Sequence, residues 1–235
     1  MMKNLTITKA ILYTSFIITF VISGFFDKTL LQLVMPMVLI AIIIDYLYKN
    51  SNINLYAVLG LISLIFTDYF LYVDIVSHFS KICIFITIYM VLAVYSLRKY
   101  FNQIQIQFFK MISWSLIISL LLIIYLIFSV SELVIHMLPG SLPYILISVV
   151  ALLTYIAISY CIYISDYYKG GFQLIVSASL LLLSVTLSPI NELYYPSDLF
   201  LVLVTSSHIA SLIIYMNFIK ETDPFVPSSL ITKFI

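Results

Sequence analysis

The sequence is short of charge. Its 11 Lys and Arg and 10 Asp and Glu make up 9% of 235 residues, against about 25% in a soluble domain. A formal net charge of +1 excludes long-range steering of a charged partner. The 5 glycines form no phosphate-cradling loop. No basic, aromatic-studded patch is present, so nucleic acid is not an expected partner. The 2 cysteines, Cys83 and Cys161, fall inside apolar runs with no clip spacing, which excludes a disulfide framework and a zinc knuckle. They read as small buried hydrophobes. No cofactor and no metal site is expected.

What remains is apolar. Hydrophobic residues are 63% of the chain, and the mean hydropathy is +1.17. That is more apolar surface than water tolerates, so lipid must be part of the solvent. A spanning helix needs about 20 mostly apolar residues. Eight stretches qualify: 10–26, 30–48, 55–73, 79–97, 111–130, 143–165, 171–189 and 198–219. The expected fold is all-α, a polytopic bundle of eight transmembrane helices. Residues 1–220 form a single membrane domain and 221–235 a short cytoplasmic tail. The first helix is expected to be retained, because Gly24-Phe25-Phe26-Asp27 makes a poor signal-cleavage site.

Charge tests this map. With the N-terminus inside, the inner segments hold Lys3, Lys9, Lys49, Arg98, Lys99, Lys110, Lys169, Lys220 and Lys233, and the outer ones only Lys28 and Lys81. A split of 9 against 2 follows the positive-inside rule and sets both termini in the cytoplasm. A multi-pass protein of a cell membrane, in particular a bacterial inner membrane, is the expected localisation. The outer segments carry Asp27, Asp74, Glu132, Glu192 and Asp198. Asp74 to Ser80 reads as a turn, 131–143 as a loop or short interfacial helix, and Ser188-Pro189 as the close of the seventh helix. Trp114, Tyr46, Tyr48, Tyr100, Tyr167 and Tyr168 read as interfacial anchors, and Asp45 as a local ion pair with Lys49.

A lipid-facing helix needs no polar stripe, so a stripe points to other helices or to a cavity. Gln173, Ser177, Ser184 and Ser188 share one face of the seventh helix. Tyr144, Ser148, Tyr155 and Ser159 do so in the sixth, and Ser207, His208, Ser211 and Tyr215 in the eighth. Gly60, Ser63 and Thr67 align in the third, with Asp68 about 100° round the helix from Thr67. Small-residue packing explains such stripes; so does a polar cavity between helices three, six, seven and eight. Asp68 and His208 stand out, because a carboxylate at membrane depth is neutral, paired or wet. Asp68 is the candidate acid–base group. His208, Ser184, Ser177, Ser211, Tyr155, Gln173 and Thr67 are the candidates to bind substrate or line the cavity.

Three short runs resemble motifs of one family, the YhhN-like membrane proteins or lysoplasmalogenases. The run from Gly60 to Asp68 is similar to that family's third-helix motif, which ends in Gly-Asp; here Thr67 precedes the acid. Gln32 to Pro36 is loosely similar to its Lys-Pro element, without the lysine. Ser177 to Ser184 is similar to its seventh-helix motif, which ends in Ser-Asp; here Val185 follows the serine. The resemblance implies an eight-helix fold that hydrolyses the vinyl-ether bond of lysoplasmalogens, with membrane lipids as partners and Asp68 as a catalytic acid. Residues 60–67 and 177–184 also echo one another, as a parallel four-plus-four duplication would produce.

Three functions stay open: a non-catalytic lipid-binding or partner-stabilising member, a lysolipid hydrolase using Asp68, and a small transporter. The sequence names no protein partner.

Overall fold

The computed structural model describes residues 2–49, 53–104, 114–168 and 170–222, with the side chains of 2–6, 49 and 115–117 left undescribed. Among these residues the chain forms eight α-helices: α1 (Met2–Phe25), α2 (Leu31–Lys49), α3 (Leu55–Val73), α4 (Ile75–Phe101), α5 (Trp114–Met137), α6 (Leu142–Ile164), α7 (Gly171–Leu193) and α8 (Asp198–Glu221). Each is long and apolar enough to cross a membrane, and the chain has the architecture of an eight-span helical membrane protein. Lys110, Lys169, Lys233 and the tail from 223 lie outside the described residues.

Local chemistry sets the joints. Asn54 caps α3 by accepting from the Ala57 amide. Asp74 ends α3 and caps α4, accepting from the Val76 amide at 3.0 Å and from the Ser77 hydroxyl. The Ser77 bonds hold its carboxyl below the usual carboxylate range. Asp27 caps the short turn Lys28–Leu30 through the Thr29 amide at 3.0 Å, which lowers its pKa likewise. Gly140, at φ +91°, makes the turn into α6, a conformation open to glycine without a Cβ clash.

Three outer helix ends differ from the sequence expectation. α4 starts at Ile75, so His78 lies on its first turns and the turn shrinks to Asp74; one residue caps both helices, α3 through its backbone N–H to the Phe70 carbonyl and α4 through its side chain, which removes the need for a loop. The segment 131–143 is no separate element: α5 runs to Met137, carrying Glu132 and His136. α7 continues past Pro189 to Leu193.

Helices α1, α2, α3, α4, α6, α7 and α8 neighbour one another in that order, and α8 returns to α1. α5 stands apart, leaning on α7 and touching α6 little. Its exposed Leu121, Leu122, Tyr125 and Phe128 face the solvent that suits them, lipid. Gly60 lets α3 approach α4: a Cβ there would stand 3.2 Å from the buried Tyr89 ring.

The inner half is bolted by hydroxyls. Tyr46 accepts from the Asn54 amide at 2.8 Å, Tyr100 donates to the Ile219 carbonyl at 3.0 Å, and Tyr168 donates to the Tyr100 carbonyl at 3.0 Å. These three tyrosines are buried rather than spread along the interface as anchors, because each phenol finds a partner inside. Asp45 accepts from the Thr8 hydroxyl at 2.8 Å, with the Lys220 ammonium at 4.0 Å; it joins α2 to α1 and α8. At the outer rim Lys28 pairs with Glu192 at 2.9 Å.

Candidate functional site

Asp68 sits on α3 five residues before Val73, ~8 Å inside the helix end at 1.5 Å per residue. His208 sits near the middle of α8. Both are buried, at 2% and 6% exposure, and Asp68 Oδ2 lies 3.5 Å from His208 Nε2. The approach is ion-pair close yet fails hydrogen-bond geometry, and neither atom has another hydrogen-bond partner. Buried polar atoms are normally satisfied. A third group between or beside them would complete their bonding.

That group has room. Asp68 and His208 line one cavity of about 140 Å³, together with Thr67, Ser184, Val185 and Ser188. Liquid water takes about 30 Å³ per molecule, so the space holds four or five waters or a few heavy atoms of a larger ligand. Most of the wall is apolar, and part of it comes from α4 and α5, through Phe79, Ile82, Ile86, Ile127 and Val134. These two helices were not expected to contribute. Their lining residues are mostly ordinary apolar side chains and leave no stripe in the sequence. Ser131 of α5 and Ser148 of α6 also reach the wall.

The other candidates lie elsewhere. Ser177 and Ser211 form a reciprocal clamp between α7 and α8. Each hydroxyl donates to the other residue's carbonyl at 2.8 Å, which occupies both in packing. Tyr155 is fully buried and rests edge-on against Tyr215 at 6.2 Å. Gln173 is exposed near the start of α7. None of the four is part of the cavity lining. Thr67 is, although its hydroxyl donates back to the Ser63 carbonyl at 3.2 Å. A helix contact and a cavity wall both favour small polar residues, which is why one stripe mixed the two.

Val185 and Pro189 also line the cavity, and Pro189, four residues on in the same helix, has no N–H to donate to the Val185 carbonyl. Among the described residues no group of three or more His, Cys, Asp and Glu side chains gathers to hold a metal.

Comparison with family models, curated proteins and solved structures finds no match to this chain.

Proposed function

We propose that the chain is a membrane-embedded hydrolase of single-chain ether lipids, a divergent relative of the YhhN-like lysoplasmalogenases, working in the outer half of a bacterial cell membrane. One observation carries the reading. Two ionisable side chains, each more than nine-tenths buried, face each other at 3.5 Å on the wall of a cavity, without hydrogen-bond partners for the facing atoms. A purely structural pair gains from closed packing and full hydrogen bonding; this pair has neither.

The cavity wall sets hydroxyls, Ser184 and Ser188 among them, around the Asp68–His208 pair, so the reading of the bond rests on the acid–base pair and the motif resemblances. A vinyl ether needs a proton and a water. Asp68 in its acid form delivers a proton to the outer vinyl carbon, and the carbon beside the ether oxygen becomes an oxocarbenium ion. Water adds its oxygen there and returns a proton to the Asp68 carboxylate, with His208 holding the carboxyl and the water in place. The resulting hemiacetal breaks into a fatty aldehyde and the glycerophospho-alcohol. One water is consumed and the acid is regenerated. Positioned acid–base groups of this kind contribute about 10²–10⁴ in rate.

A second reading, a non-catalytic lipid-binding or partner-stabilising member, is favoured by Val185, which leaves the cavity one carboxylate where the family has two. The full chain in nanodiscs, offered a 1-alkenyl lysophospholipid and its 1-acyl counterpart, separates the readings. Aldehyde released from the alkenyl lipid with the acyl lipid intact supports the hydrolase. No product from either supports the second reading.

A further inference from the structure

The hydroxyls on the cavity wall fall into two groups. A serine or threonine inside a helix can donate back to the carbonyl one turn before it. Thr19, Ser159 and Thr205 do so at 2.9, 2.8 and 2.9 Å. On the cavity wall Thr67 and Thr186 donate back likewise, and Ser148 donates across to the Cys83 carbonyl at 3.2 Å. Tyr72, Ser131, Ser184 and Ser188 line the same cavity, and among the described residues their hydroxyls have no hydrogen-bond partner. Tyr72 and Ser184 are buried, at 5% and 4% exposure. Apolar cavities stay dry, and a buried water needs about two to four polar partners. The uncommitted hydroxyls mark where such partners stand.

Helix rise gives their depths. The Ser177–Ser211 clamp holds α7 and α8 at one level. Outward from it, His208 is three residues away on α8 and Ser184 seven on α7. At 1.5 Å per residue Ser184 stands ~6 Å outward of His208, and Ser188 ~12 Å. Tyr72 is one turn outward of Asp68 on α3, again ~6 Å. Tyr72 and Ser184 therefore share a level above the Asp68–His208 pair, with Ser188 a turn further out. Both α3 and α7 run outward, and side chains tilt toward the N-terminus of their helix, so Tyr72 and Ser184 lean back toward the pair. A rise of ~6 Å is about two O–H···O bonds end to end, the span of one bridging water. At the inner end Asp68 Oδ2 and His208 Nε2 are buried without partners.

We infer that Tyr72, Ser184 and Ser188 form a water file from the outer end of the bundle to the Asp68–His208 pair, and that Tyr72 and Ser184 seat the water next to the pair. The file itself stands on the hydroxyls and the cavity; its use in turnover rests on the hydrolase reading. Water on this seat adds its oxygen to the oxocarbenium carbon and passes a proton to the Asp68 carboxylate, as that reaction requires. Tyr72 and Ser184 are positioning residues, which hold the oxygen and give up no proton. Ser188 stands where the next molecule enters.

The native chain in nanodiscs is exposed to an X-ray pulse in heavy-oxygen water, and marked side chains are mapped by mass spectrometry. Radiolysis turns a water into a hydroxyl radical that marks the side chain beside it. Tyr72 is expected to be marked at least about tenfold more than Tyr155 and Tyr215, which are buried too but lie off the cavity, because a site without polar partners stays dry. Ser184→Ala with Ser188→Ala removes the donors without filling the cavity. It is expected to cut the Tyr72 mark at least about fivefold and to leave the mark on exposed Tyr195 unchanged. A Tyr72 mark no greater than that of Tyr155 in the native chain would overturn the file. A native Tyr72 mark in the double variant would overturn the serines' part in it. Turnover is read separately on a 1-alkenyl lysophospholipid. The double variant's kcat is expected to fall at least about tenfold with KM within about twofold, since misplacing the water leaves lipid binding intact. A marked Tyr72 without turnover in the native chain supports the file and sinks the hydrolase; turnover with Tyr72 unmarked sinks the file and leaves the hydrolase standing.

Discussion

Asp68 Oδ2 of α3 lies 3.5 Å from His208 Nε2 of α8, on the wall of a cavity and out of hydrogen-bond geometry. The two helices are far apart in sequence, and this contact brings the membrane-depth acid and imidazole into one site.

The pair couples the two helices energetically. Asp68→Leu or His208→Leu alone leaves the other group buried without its partner, at a cost of about 3 kcal/mol. The double variant replaces both by apolar groups and is expected to be more stable than either single. Thermal unfolding of the three variants in detergent reads this order. A double variant weaker than both singles by the sum of their losses would show that the groups do not interact.

Ser177 and Ser211 are expected to behave as structure. Each Ser→Ala change breaks one arm of the reciprocal clamp, and interhelical hydrogen bonds in membranes average about 0.6 kcal/mol and reach about 1.7. Stability should fall within that range while turnover stays within twofold of native. A hundredfold loss of turnover in Ser211→Ala would place the clamp in the site.

Gly60 holds α3 against Tyr89. A Cβ would come within 3.2 Å of a ring that is 1% exposed, so the larger Gly60→Val should destabilise by about 1–3 kcal/mol through overpacking. Denaturation in detergent checks it. Pairing it with Tyr89→Leu, which removes the obstructing ring, should recover part of the loss.

Asp74 gives an acid limb. Its pKa is lowered in the folded chain by the Ser77 and Val76 bonds. Its capping contribution is therefore present above the unfolded carboxylate pKa of about 3.9 and is lost as pH falls through the lower folded value. Asp74→Ala should lower the melting temperature at neutral pH and flatten the acid limb. Melting curves between neutral and strongly acidic pH would show an unchanged limb if the cap were idle.

Much of the bundle is readable from the sequence because lipid imposes a simple rule, about 20 apolar residues per span. The outer ends obey no such rule. Asp74 caps two helices at once, and Pro189 sits inside α7 on the cavity wall. The tyrosines show the same limit. Tyr46, Tyr100 and Tyr168 have the positions of interfacial anchors, and only the folded neighbours reveal that their hydroxyls are used inside. Asp68 and His208 were visible as ionisable groups at membrane depth, but periodicity orders residues on one helix and says nothing of which faces meet. The apolar wall from α4 and α5 leaves no mark at all, since an isoleucine facing a cavity and one facing lipid are the same letter.

The most direct test compares native chain and Asp68→Asn in nanodiscs, matched for unfolding temperature, releasing aldehyde from a 1-alkenyl lysophospholipid. Asparagine keeps the size of the side chain and removes its proton exchange. The account predicts a loss of at least about 100-fold, the lower bound for a positioned acid–base group. An Asp68→Asn rate within twofold of native would contradict it.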